Sequence, residues 1–266
     1  LKPENFGFTD SGEAVRFSFL TVGFWWAFFS APIFLFVKEP VLYRGASVTR
    51  SLKEGLSQLL ETFQEVRRFK KIFLFLAAYW LYIDGVHTII RMAVDYGISI
   101  GFESNDLIMA LLITQFVGFP SSIAFGILGG RIGARRAIFI TIAVYLFVSI
   151  WGAFMGNKSE FYILAVIIGL VQGGIQALSR SYFAAMIPVE KSAEYFGFYN
   201  MVGKFAVVLG PVVLGGVGLI SRFLGSGSMT ASRMGIASIS LFFIAGGALF
   251  YFSKDENEAR SLKPSS

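Results

Sequence analysis

Seven long apolar segments dominate the sequence and limit what the chain can fold into. Each is close to the ~20 residues that an α-helix needs to cross a hydrocarbon core of about 30 Å. A transmembrane β-barrel would show short strands of alternating polarity, and a soluble protein would have to share one core among several helices that are apolar on every face. The sequence therefore predicts an all-α polytopic membrane protein with seven transmembrane helices, at about 17–37, 72–98, 107–128, 137–155, 161–186, 196–220 and 234–252.

The composition fits this class and excludes several kinds of site. Hydrophobic residues make up 55% of the chain and charged residues 15%, whereas soluble domains are about a quarter charged. The chain has no cysteine and a single histidine, which excludes disulfides, cysteine-ligated metals and two-histidine metal sites. No catalytic Ser/His/Asp arrangement and no GxxxxGK[ST] nucleotide loop is found. We therefore expect a protein that is not an enzyme and has no metal and no cofactor.

The Lys and Arg residues are unevenly divided among the connections between the predicted spans. The 38–71 connection holds eight and 129–136 holds three, whereas 99–106 holds none. By the positive-inside rule, the basic connections and the C-terminal residues are expected to be cytoplasmic. The net charge of +6 then reflects membrane topology, so we expect the lipid bilayer rather than nucleic acid as a partner.

The 38–71 connection divides the chain into four predicted regions. Its stretch "SLKEGLSQLLETFQEVRRF" has apolar residues at helical spacing and a capping-box pattern at Ser51 and Glu54, which predicts an amphipathic helix on the cytoplasmic surface. This helix is either a tether between two bundles or a regulatory partner site.

The odd number of spans and the lack of an initiator Met lead us to expect a piece of a longer chain. The regions are 1–37, the end of an N-terminal half with one transmembrane helix; 38–71, the cytoplasmic linker; 72–253, a C-terminal six-helix bundle; and 254–266, a cytoplasmic tail.

Four ionisable residues lie inside the second apolar segment, in "YIDGVHTIIRMAVDYG": Asp84, His87, Arg91 and Asp95. At about 100° per residue they share one stripe of a helix. Charged groups at membrane depth are costly and persist when they face a cavity or pair with one another. The stripe is therefore either a substrate or proton pathway, which we expect, or an internal salt bridge such as Arg91 with Asp95. Whether a proton moves through it stays open.

Further polar residues lie within other predicted spans. Amides at helical spacing contact a solute or hydrogen-bond to a neighbouring helix, and both interpretations stay open here. The lysine among them is an intramembrane charge or extends to the cytoplasmic surface. These additional candidates for the pathway are Gln115, Gln172, Gln176, Asn200 and Lys204.

Two glycine-rich motifs resemble those of the major facilitator superfamily. The turn "GILGGRIGARRAIF" is similar to the Gly-x-x-x-Asp-Arg-x-Gly-Arg-Arg pattern found after the second helix of each half, with Gly130 in place of the usual Asp and Ala134 in place of an Arg. "GPVVLGG" is similar to the Gly-Pro-rich antiporter-type motif. The resemblance implies a role in gating or packing for the matching residues, which are Gly126, Arg131, Gly133, Arg135, Gly210 and Pro211.

Three longer stretches resemble one branch of that superfamily. "YWLYIDGVHTIIRMAVDYG", "GLVQGGIQALSRSYFAAMIP" and "EYFGFYNMVGKFAVVLGP" are similar to the fungal autophagy-related vacuolar amino-acid effluxer and its bacterial homologues, over roughly 70–252. The resemblance implies a twelve-helix transporter of which this chain supplies one helix, the linker and the second six-helix half. It also implies rocking of two halves around a midplane site, with the N-terminal half of the same chain and a small-molecule solute as partners.

Two functions therefore remain from the sequence. The first is a secondary active transporter in a bacterial plasma membrane, which moves or exports amino acids or similar small metabolites by alternating access. The second is a non-transporting membrane receptor or scaffold of the same fold, with the helix in 38–71 as its docking surface.

Overall fold

Ten α-helices form the part of the chain that the structure, a computed structural model, describes, namely residues 7–37 and 48–253. No strand occurs among these residues. The helices are α1 Ser11–Phe36, α2 Val48–Arg68, α3 Lys70–Ser99, α4 Ser104–Ile132, α5 Ala134–Phe154, α6 Lys158–Ala184, α7 Ser192–Phe205, α8 Leu209–Phe223, α9 Ser228–Ser238 and α10 Ser240–Phe252.

Seven helical segments among the described residues are long and apolar enough to cross a membrane. They are Ser11–Phe36, Lys70–Ser99, Ser104–Ile132, Ala134–Phe154, Lys158–Ala184, Val189–Phe223 and Ser228–Phe252. Each overlaps one of the seven predicted spans. The prediction of an all-α, multi-pass membrane protein is confirmed.

The chain divides into two units, residues 1–54 and 55–266. In the first unit, α1 begins six residues before the predicted span because Asp10 caps it: its carboxylate accepts a hydrogen bond of 2.7 Å from the backbone N–H of Glu13. Pro32 lies inside this helix, and no residue of α1 is buried. A helix that is apolar on every face and buries nothing within its unit is suited to contact with lipid.

In the second unit, α3 is the most buried of the membrane-spanning helices. Its aromatic residues form the centre of the core with residues from α6, α7 and α10. The ring centroids of Phe75 and Phe183 lie 5.9 Å apart, and those of Tyr79 and Tyr199 lie 4.3 Å apart. Tyr82 is fully buried, and its hydroxyl lies 2.7 Å from Ser179 Oγ. These contacts hold α6 and α7 against the N-terminal half of α3, and the rings of Phe183 and Tyr199 also stack on each other at 4.9 Å.

Glycines allow α4 and α6 to pack closely. A Cβ atom added at Gly169 would lie 2.8 Å from the carbonyl oxygen of Thr114, and one added at Gly173 would lie 2.6 Å from Ser122 Cβ. The hydroxyl of Thr114 donates a 3.1 Å hydrogen bond across this contact to the carbonyl of Ala165. Small residues at helix contacts are the usual way in which membrane helices approach one another.

The last two membrane-spanning segments are interrupted, where the sequence predicts single spans at 196–220 and 234–252. The break between α7 and α8 precedes Pro211, which lies in the first turn of α8 and has no N–H to continue the helix. The break between α9 and α10 falls at Ile239, where Ser238 and Ser240 donate side-chain hydrogen bonds of 2.6 Å to carbonyls three residues earlier. Serine hydroxyls that bond to the backbone in this way disturb regular helices.

Part of α2 packs against α7 within the second unit. Thr62 and Val66 are buried, and the ring centroid of Phe63 lies 6.1 Å from that of Phe198. At the edge of this contact Lys191 Nζ pairs with Glu65 Oε1 at 2.8 Å. Residues 55–68 of this helix therefore use part of their apolar side within the chain itself.

Candidate functional site

A cavity of about 490 Å³ lies between α3, α6 and α7. Four of the residues that line it are basic, two carry amides and two are tyrosines, and none is Asp or Glu. The full set is Tyr79, Ile83, His87, Arg91, Gly173, Gln176, Ala177, Arg180, Tyr199, Asn200, Gly203, Lys204 and Val207.

Helical spacing explains how the sequence builds this wall. On α3, Tyr79, Ile83, His87 and Arg91 recur every four residues, so they follow one another along one side of the helix. On α6 and α7 the lining residues likewise recur at intervals of three and four. At about 1.5 Å per residue, His87 lies roughly 25 Å along a helix of about 45 Å, near its middle.

Few contacts neutralise the polar groups of the cavity. Arg180 donates a 3.3 Å hydrogen bond to Asn200 Oδ1 and so joins α6 to α7. His87 Nδ1 is buried and has no hydrogen-bond partner. Within residues 7–37 and 48–253, neither Arg91 nor Lys204 makes an ion pair. The wall is therefore strongly cationic and is rich in hydrogen-bond donors that are free to bind.

Asp84 does not line this cavity, although it shares the predicted stripe. It is fully buried, and its two carboxylate oxygens accept from the backbone N–H of Gly210 at 3.0 and 3.1 Å. Thr88 Oγ1 donates a third, longer hydrogen bond to it at 3.4 Å. Since Gly210 lies in the first turn of α8, the side chain from α3 caps the N-terminus of another helix.

The contact with Asp84 also explains why residue 210 is a glycine. A Cβ atom there would overlap Thr88 Oγ1 and lie 2.8 Å from Asp84 Oδ1. The backbone N–H of any larger residue would be held away from the carboxylate. The glycine of the "GPVVLGG" motif therefore serves the close approach of α3 and α8.

Three other predicted pathway residues lie outside the cavity. Asp95 is exposed and lines a separate space of about 220 Å³ beside Tyr96 and Ser232. In the part of the chain that the structure describes, Asp95 makes no ion pair with Arg91, so the alternative of an internal salt bridge between them is not formed. Gln115 is exposed on α4, and Gln172 is half-buried on α6.

The structure therefore brings together five of the nine predicted pathway residues: His87, Arg91, Gln176, Asn200 and Lys204. The cavity also contains Arg180, which was not among the predicted pathway residues. The signal was present, since Arg180 follows Gln176 by one helical turn and lies on the same side of α6.

The turn between α4 and α5 contains the other predicted motif. Gly133 joins the two helices with φ +88°, a conformation that favours glycine. Arg135 is buried and donates hydrogen bonds of 3.1 and 2.8 Å to the carbonyls of Phe250 and Tyr251, at the end of α10. Gly126 and Arg131 are exposed. The buried arginine thus adds side-chain donors to carbonyl groups at the end of the helix, where Phe250 O also accepts from Ser253.

Comparisons with known proteins agree with this architecture. The family described as "Vacuole effluxer Atg22 like" matches residues 4–261. The "Uncharacterized MFS-type transporter YxiO" of Bacillus subtilis (strain 168) is 36% identical over 243 residues, which cover 91% of this chain and 54% of that protein. "Autophagy-related protein 22" of Yarrowia lipolytica is 28% identical over 232 residues, which cover 76% of this chain and 39% of that protein.

A third relative, "Autophagy-related protein 22-1" of Aspergillus niger, is 25% identical over 224 residues, covering 76% of this chain and 36% of that protein. The chain thus spans about half the length of the bacterial relative and less of the fungal ones. The family match extends over nearly all 266 residues. The chain belongs to the Atg22-like vacuole effluxer family, as the resemblance in its sequence predicted.

Proposed function

We propose that this chain is part of a secondary active transporter, and that the cavity between α3, α6 and α7 is its share of the solute pathway. The observation that carries the proposal is a polar, cationic cavity near the middle of membrane-spanning helices. Ionisable groups at that depth are costly unless they face water, a partner or a solute. The name of the bacterial relative and the description of the family support the same function.

The interruption between α7 and α8 supports a moving site. Discontinuous helices are common at the binding sites of secondary transporters, where two halves rock around a fixed centre. Lys204 lies in the last turn of α7, beside this interruption and within the cavity wall. We therefore propose alternating access, with export of amino acids or similar small metabolites as the activity of the whole protein.

The regional assignments belong to the same proposal. Residues 1–37 would close an N-terminal half, 38–71 would form the cytoplasmic linker and 72–253 the six-span bundle, with basic connections in the cytoplasm. The tail 254–266 and residues 38–47 lie outside the described residues. The scaffold alternative is less favoured, because Val66 of the proposed docking helix is buried against the chain's own bundle.

The proposal is tested by solute efflux from proteoliposomes that contain the full-length protein. Gln176→Ala removes an amide from the cavity wall, and Gln172→Ala makes the same change one turn earlier on α6, outside the cavity. A lost neutral hydrogen bond lowers flux by about two- to tenfold, so we expect that loss for Gln176→Ala alone. Equal flux in both variants and the unchanged protein would contradict the assignment of this cavity.

A further inference from the structure

The charge of the cavity wall indicates the class of solute. Arg91, Arg180 and Lys204 bring three permanent cations to it, and His87 brings a fourth basic side chain. No carboxylate lies among the thirteen lining residues. Arg and Lys side chains only donate hydrogen bonds, so the wall offers donors to an anion and has no carboxylate for an ammonium group.

One of the two carboxylates of α3, that of Asp84, already accepts hydrogen bonds within the chain. Both oxygens of Asp84 accept from Gly210 N–H, and the side chain is fully buried. Asp95 lines a different space. Among the described residues, Arg91 therefore makes no ion pair with either carboxylate of its own helix.

The three cations come from three different helices, α3, α6 and α7, and all three residues are exposed in the cavity wall. Arg180 makes its one described side-chain hydrogen bond to the neutral Asn200, which leaves its charge uncompensated. Unpaired cations inside a membrane-spanning bundle are stabilised by a bound anion, and charge-assisted hydrogen bonds of this kind are the strong ones.

Building on the transporter function, we propose that the solute is a compact organic anion with at least two negative charges, held by Arg91, Arg180 and Lys204. Two carboxylates or one phosphate monoester would supply that chemistry. Among the amino acids and similar small metabolites proposed above, this selects the anionic ones. A zwitterionic amino acid with an apolar side chain is a poorer match, because its ammonium group would face the same cations.

The test is binding and counterflow with the purified full-length protein in vesicles of neutral lipid. Succinate and glycerol phosphate represent the two dianion sources, leucine a zwitterion and lysine a cation. We expect one or both dianions to stabilise the protein against heat and to exchange across the membrane, with leucine and lysine at least tenfold weaker. Which of the two dianions exchanges shows whether the solute carries two carboxylates or a phosphate monoester.

Charge-removing variants link this preference to the cavity. Each of Arg91→Gln and Lys204→Gln is expected to weaken dianion affinity by about tenfold or more, the usual effect of losing one charge-assisted hydrogen bond. Arg222→Gln, the same kind of change in the last turn of α8 and outside the cavity, is expected to have no effect. Should Arg91→Gln fail to accumulate, Lys204→Gln carries the test, because Lys204 is exposed and has no ion pair among the described residues.

The outcomes separate the inference from the function on which it rests. Exchange of leucine or lysine, unaffected by the two variants, would refute the anionic solute and leave the transporter intact. Exchange of no solute class would refute both. Dianion exchange that is equally reduced by Arg222→Gln would also refute the inference, because the preference would then not arise in this cavity.

Discussion

Replacement of Asp84 by Asn separates a structural role for this buried carboxylate from a role in the solute pathway. Both of its oxygens accept from Gly210 N–H, and Thr88 Oγ1 lies 3.4 Å away. Asn keeps one acceptor oxygen but loses the charge at the positive end of α8. The cap should therefore weaken without being abolished.

The magnitude follows from three general effects. A hydrogen bond to a charged group contributes about 1.5–3 kcal/mol, and a carboxylate at a helix N-terminus up to about 2 kcal/mol when partly buried. Hydrogen bonds between membrane helices are weaker on average, at about 0.6 kcal/mol. Since Asn retains one bond, we expect Asp84→Asn to lower the free energy of unfolding by about 1–2 kcal/mol.

The assay is equilibrium unfolding of the full-length protein in mixed micelles, followed by far-ultraviolet circular dichroism. Asp95→Asn is the matched control, since it makes the same change on the same helix at an exposed side chain. It should change the free energy of unfolding by less than about 0.5 kcal/mol. Full stability of Asp84→Asn together with lost flux would refute the structural role and return Asp84 to the pathway.

Three further changes test other contacts. Gly210→Ala should lower the free energy of unfolding by about 1–3 kcal/mol because of overlap with its neighbours, whereas Gly215→Ala, with nothing within 4 Å of its Cβ, should be nearly neutral in the same unfolding assay. Arg135→Gln should speed amide hydrogen exchange in the last turn of α10, since two buried hydrogen bonds that hold this helix end to α5 are lost; unchanged exchange would contradict this. A double-mutant cycle of Glu65→Gln and Lys191→Gln should give a coupling energy of at most about 1 kcal/mol, as for other exposed pairs.

The membrane architecture was predictable because its physical cause is visible along the chain. A helix that crosses the hydrocarbon core needs about 20 apolar residues, and the sequence shows seven such segments. The interruptions at 206–208 and at Ile239 were not predicted. Pro211 lies close to the first, and Ser238 and Ser240 flank the second, but hydropathy records neither break.

The candidate site was predictable only in part, because a helical wheel gives a residue's angle but not its neighbour. Asp84 and Arg91 differ by about 20° on the wheel, yet they are about 10 Å apart along the axis of α3. At the level of Asp84 that side is covered by α8, whereas at the level of Arg91 it opens into the cavity. On α6, Gln176 lines the cavity whereas Gln172, one turn earlier, does not.

The interruption between α7 and α8 affects both parts of the charged stripe on α3: Asp84, which binds α8, and His87 and Arg91, which line the cavity. It creates a helix N-terminus whose backbone N–H at Gly210 donates to the carboxylate of Asp84. This carboxylate is therefore not available to pair with the cations of the cavity. The interruption also places Lys204 in the last turn of α7, where a cation is favoured by the helix dipole. If α8 instead continued α7 without a break, Gly210 N–H would bond within the helix and the buried Asp84 would keep only the longer hydrogen bond from Thr88. The cationic character of the cavity therefore depends on a backbone break outside α3, which is why the charges of the stripe alone do not reveal it.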